Sequence, residues 1–83
     1  MTPSEWQASL RRYTERGILP GGFLRAVLEN DLCGAVARAD DVSLAQLRAI
    51  CVFVYNDMPS GCWGSRERVA QWVDGMYLPR HPA

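Results

Sequence analysis

Along the first sixteen residues the apolar positions fall at Trp6, Leu10 and Tyr13, while Arg11, Arg12, Glu15 and Arg16 fall mainly on other faces. An i, i+4, i+7 spacing is one stripe of an amphipathic helix and predicts a first helix over 3–16. Thr2 is placed to cap it, Pro3 suits its first position, and Glu5 stands three residues after Thr2 to close a capping box. Gly17 predicts the stop, and Ile18 behind it predicts a chain that tucks back on the last turn.

The connector Ile18-Leu19-Pro20-Gly21-Gly22 leads into a second short helix, with Phe23, Val27 and Leu28 on one face. Asn30 tolerates the left-handed conformation that ends a helix, and Asp31 is placed to cap a third, with Leu32, Ala35, Val36 and Ala39 as its apolar positions. Gly34 weakens that helix by about 1 kcal/mol relative to Ala, which points to a close helix crossing or a bend. Ser43 followed by Gln46 reads as a second capping box, with Val42 placed to staple onto Leu47. It predicts a fourth helix over 44–57, whose Leu44, Leu47, Ile50, Cys51, Val54 and Met58 would form the centre of the core. The β-branched run 50–55 also suits a strand, but the capped helical frame outweighs it. After a loop marked by Pro59, Gly61 and Gly64, Ser65 caps a last helix with Val69, Trp72 and Val73 on its buried face, ended by Gly75. The pattern predicts an all-α fold: a small bundle of four to five short helices in one domain over 1–75, followed by an irregular tail over 76–83.

Composition adds limits. Nine cationic residues, all Arg, balance nine acidic ones, so no net field draws the chain to a phosphate backbone, and nucleic acid is a disfavoured partner. The absence of Lys fits a GC-rich coding sequence, or a use of Arg forks for bidentate recognition of carboxylate or phosphate. No run of 18 apolar residues and no basic-then-apolar start is present, so the expectation is neither membrane span nor signal peptide, and a cytoplasmic location. Cys33, Cys51 and Cys62 read as reduced thiols, and His81 alone gives no basis for a metal site or for an oriented nucleophile and base. The expectation is a protein that is not an enzyme and carries no cofactor or metal. A core this small leaves self-association into a homo-oligomer open.

Two segments stand out as candidate surfaces. Cys62 and Trp63 sit inside the glycine-rich turn Pro59-Ser60-Gly61-Cys62-Trp63-Gly64-Ser65, where polar residues are expected. Either they plug the loop into the core, or Trp63 anchors an interface rimmed by Arg66 and Arg68. Gly21 and Gly22 with Arg25 form the second candidate, an anionic small-molecule site to which Arg11, Arg12 and Arg16 would contribute; tight helix packing is the structural alternative for the glycines.

Read together, Ile18-Leu19-Pro20-Gly21-Gly22-Phe23-Leu24-Arg25-Ala26-Val27-Leu28-Glu29-Asn30-Asp31-Leu32, Arg38-Ala39-Asp40, Tyr55-Asn56, Pro59 and Cys62-Trp63-Gly64-Ser65 resemble a family of short, uncharacterised proteins encoded by bacteriophages and prophages. The resemblance covers roughly residues 13–73, is one of motif order and length, and assigns no catalytic or ligand residue. It implies an accessory gene expressed in a bacterial host cell, and by analogy of gene context a protein that binds and modulates a host protein, such as a defence component. The alternative is an oligomer that sequesters an anionic nucleotide or metabolite signal.

Overall fold

The computed structural model describes residues 3–77, and Thr2, His81 and the segment 78–83 lie outside them. The described chain is all-α, with helices α1 (Pro3–Arg16), α2 (Gly22–Leu28), α3 (Leu32–Arg38), α4 (Asp41–Ala45), α5 (Leu47–Asp57) and α6 (Arg66–Tyr77), and a short 3-10 turn at Ser60–Cys62. Trp6, Leu10 and Tyr13 bury the predicted stripe of α1 against Leu24 and Leu28 of α2, Ile50 and Val54 of α5, Cys62 and Val69. Burial of large apolar side chains is the main favourable term in such a fold, at about 1.5–3 kcal/mol each.

Gly17 ends α1 at φ +70°, with its N–H on the Tyr13 carbonyl at 2.9 Å, as the sequence predicts. The following tuck does not occur, because Ile18 and Leu19 both remain exposed. The α2–α3 corner is a Schellman turn. Asn30 sits at φ +60°, its N–H reaches the Val27 carbonyl at 3.1 Å, and the Asp31 N–H reaches the Ala26 carbonyl at 2.8 Å. Asp31 then caps α3 by accepting from the Gly34 N–H at 3.0 Å. Neither a helix crossing nor a bend explains Gly34: a Cβ there would stand 2.1 Å from Asp31 Oδ2 and 2.9 Å from Arg38 Nη1, so the glycine makes room for the cap itself.

The predicted fourth helix differs most. Its cap is Asp40, whose Oδ1 accepts from the Ser43 N–H at 2.7 Å, so α4 begins at Asp41 and Ser43 lies buried inside it. The helix then breaks at Gln46 before α5, and the Gln46 side chain accepts from Trp6 Nε1 at 2.8 Å and does not close a capping box with Ser43. Val42 is exposed and staples nothing. The stripe read as central core splits in two: Ile50, Val54 and Met58 are buried, Leu47 is half-buried, and Leu44 and Cys51 face outward. The run 50–55 is helical throughout. Helix α6, capped by the Ser65 hydroxyl on the Arg68 N–H at 3.1 Å, continues through Gly75 to Tyr77, past the boundary predicted at Gly75.

Candidate functional site

The loop after α5 is tied into the core at several points. Cys62 is fully buried, its carbonyl accepts from the Tyr13 hydroxyl, and the Gly64 N–H reaches the Leu28 carbonyl at 2.7 Å. Gly64 holds φ +114°, a conformation that side chains disfavour. Burial pushes the Cys62 thiol up to about 11 and raises the Tyr13 hydroxyl further, so both stay protonated at neutral pH. A thiol so enclosed, donating to the Pro59 carbonyl at 3.1 Å, is a packing group and not a nucleophile.

Of the predicted interface residues, Trp63 is partly buried against the core, and its ring lies 6.0 Å from that of Tyr55 at a tilt of 58°. Its Nε1 is enclosed without an acceptor, in contrast to Trp6 on Gln46 and Trp72 Nε1 on the Tyr13 carbonyl at 3.1 Å. Arg68 folds back onto the loop, with Nη1 at 3.3 Å from the Ser60 carbonyl and 3.4 Å from that of Trp63. Arg66 points elsewhere, into a cleft with residues of α2 and α3. The structure therefore keeps Arg68 on the Trp63 loop and places Arg66 apart from both, in the cleft with α2 and α3.

The second candidate set also divides. Arg11, Arg12 and Arg16 line a shallow groove along α1 with Ser4, Gln7, Ala8 and Glu15, and all belong to that one helix. Gly22 and Arg25 instead line the cleft that holds Arg38 and Arg66, together with Ala26, Glu29 and Asp31. Gly21 has open space around it. Arg38, quoted only in the motif Arg38-Ala39-Asp40 and assigned to neither candidate site, is thus placed beside predicted residues from both sets.

A further unexpected feature is apolar. Val27, Leu32, Ala35, Leu47 and Cys51 meet around a small groove between the α2–α3 hairpin and α5, with Asn30 and Asp31 at its edge. Leu32 is 67% exposed and Val36 47%, both on α3; Leu44 is 47% exposed on α4, and Tyr55 75% on α5. Positions 47, 51 and 55 recur every four residues, so they form one row along α5, which ends where Tyr55 meets Trp63. Partial burial in this groove raises the Cys51 thiol above its usual range. Composition alone hides such a face, because apolar periodicity reads as core whichever way the stripe turns.

The fold and its surfaces define a small all-α domain with an exposed apolar face and an arginine-lined cleft. No family model, no curated protein and no solved structure matches this chain. Among the described residues, no helix is long and apolar enough to cross a membrane, and no three His, Cys, Asp or Glu side chains stand together as a metal site would require.

Proposed function

We propose that the chain is a non-enzymatic interaction module, which binds and modulates another protein through the apolar face of α3 and α5. The observation that carries the reading is the row of large apolar side chains left in solvent there, Leu32 and Tyr55 above all. Single exposed apolar residues are ordinary, but a groove lined by five apolar side chains and bordered by further exposed ones is the usual mark of a binding surface. Trp63 keeps a part in this reading as the partly buried support beneath Tyr55, and Arg68 as the brace of its loop. Within the resemblance to phage-encoded proteins, the partner is a host protein, and a bacterial defence component is the first class to test.

The experiment is affinity capture of the tagged protein from a bacterial lysate, in parallel with Leu32→Glu and Tyr55→Ser variants whose helicity is checked by circular dichroism. Both side chains are exposed, so the fold is expected to survive. The expected result is one stoichiometric protein retained by the parent chain and lost with either variant, a loss of affinity of about tenfold or more for truncation of a central anchor. Capture unaffected by both changes would sink the assignment of this face.

A further inference from the structure

A second surface is built on different chemistry. Three guanidinium-bearing side chains from three helices, Arg25 of α2, Arg38 of α3 and Arg66 of α6, line one cleft of about 220 Å³. They stand 13 and 28 positions apart in sequence, so it is the fold that brings α2, α3 and α6 to one cleft. The position of Arg38 is shaped by two glycines. A Cβ on Gly22 would stand 3.1 Å from Arg38 Cδ, and one on Gly34 would stand 2.9 Å from Arg38 Nη1. The Gly34 carbonyl also accepts from Arg38 Nη1 at 3.1 Å, which directs the side chain back along α3.

The two carboxylates in the cleft have other partners. Glu29 Oε2 accepts from Arg25 Nε at 3.0 Å, and Asp31 Oδ1 accepts from the Gly34 N–H at 3.0 Å as the cap of α3. The Arg66 side chain has no hydrogen bond or ion pair among the described residues, and that of Arg38 has only the Gly34 carbonyl. Three cations against two carboxylates leave the cleft with excess positive charge in a chain of zero formal net charge. The N–H groups of Arg66 and the remaining N–H groups of Arg38 are unused forks of the kind that bind phosphate oxygens in pairs. At about 220 Å³ the space is smaller than the roughly 300 Å³ at which pockets begin to enclose a whole small molecule, so it suits one anionic group of a ligand whose remainder stays outside.

We propose that this cleft binds the phosphate end of a small phosphorylated molecule, with Arg38 and Arg66 as the direct contacts and the Arg25–Glu29 pair as the polar wall. The site is independent of the apolar face, and either can fail without the other. It differs from a site that includes Arg11, Arg12 and Arg16, which line another groove.

The test is calorimetric titration at near-physiological salt, with inorganic diphosphate and a nucleoside diphosphate as probes, joined to an amide NMR footprint. Saturable binding is expected, with shifts centred on Gly22, Arg25, Arg38 and Arg66. Arg38→Gln and Arg66→Gln should each weaken it about tenfold or more, the scale of one charge-assisted hydrogen bond. Arg48→Gln, on α5 outside the cleft, should leave it unchanged. Equal affinity for the two probes would place recognition in the phosphates alone, and tighter binding of the nucleotide would add its sugar and base. No saturation by millimolar concentrations, or a footprint spread over all the arginines and equally weakened by Arg48→Gln, would overturn the proposal.

Discussion

Cys62 and its two fellow thiols show how differently one residue type is used in this chain. Cys33 and Cys51 are exposed, whereas Cys62 is enclosed beneath Tyr13 and beside Pro59. A thiol reagent is expected to modify Cys33 first, Cys51 more slowly because its groove disfavours the thiolate, and Cys62 only on unfolding; mass spectrometry of the time course checks the order. The same burial gives a pH dependence. The Cys62 pKa is raised from about 8.5 in the unfolded chain to about 11 in the folded one, so its contribution is intact below the unfolded value and lost as pH rises towards the folded value. Thermal unfolding should therefore fall in temperature between about pH 9 and pH 11, with Tyr13 adding to the loss at still higher pH. Capping residues were equally legible at this scale. Gly17, Asn30, Asp31 and Ser65 all act where local chemistry alone places them, because a cap depends on the single helix turn that adjoins it. The Ser43–Gln46 box failed because Asp40 takes the cap and draws Ser43 into α4, while Gln46 meets Trp6, 40 positions away and beyond any local pattern.

At the scale of elements, the break between α4 and α5 decides which way the long apolar stripe turns. Asp40 starts α4 early, Gln46 interrupts it, and the row Leu44, Leu47, Cys51 ends up beside the core instead of within it. Asp40 carries a pH signature of its own. The Ser43 amide, and after it the Ser43 hydroxyl, holds its carboxyl below the usual carboxylate range. A depressed folded-state value means that the contribution is present above the unfolded pKa of about 3.9 and lost as pH falls through the folded one. Helicity is expected to decline on acidification below about pH 4 in the parent chain. An Asp40→Asn variant, which caps with a neutral oxygen, should lose the part of this decline that Asp40 contributes, and circular dichroism across the acid range reads the difference. The α3 pattern misled for a related reason. Leu32, Ala35, Val36 and Ala39 keep helical spacing, but with α2 filling one side of α3 only Ala35 is buried. Periodicity reports that a stripe exists, and the packing of neighbours reports whether it is covered.

At the scale of the whole fold, the described residues 3–77 form one core and carry the two surfaces argued above. The core was largely readable: Trp6, Leu10, Tyr13, Ile50, Val54 and Val69 are buried as their spacing predicts. The surfaces were readable only in fragments, since Arg25 and Arg66 belonged to separate expectations and Arg38 to none, and the apolar face was read as interior. A domain of this size has little apolar surface to spare, and the proposed function places a partner over the large side chains kept in solvent along α3 and α5. Hydrogen exchange of the captured complex against the free protein tests this most directly. The account predicts added protection along Leu32–Arg38 and Leu47–Asp57, with the outer face of Pro3–Arg16 unchanged. Protection confined to α1, with α3 and α5 exchanging as in the free chain, would contradict it.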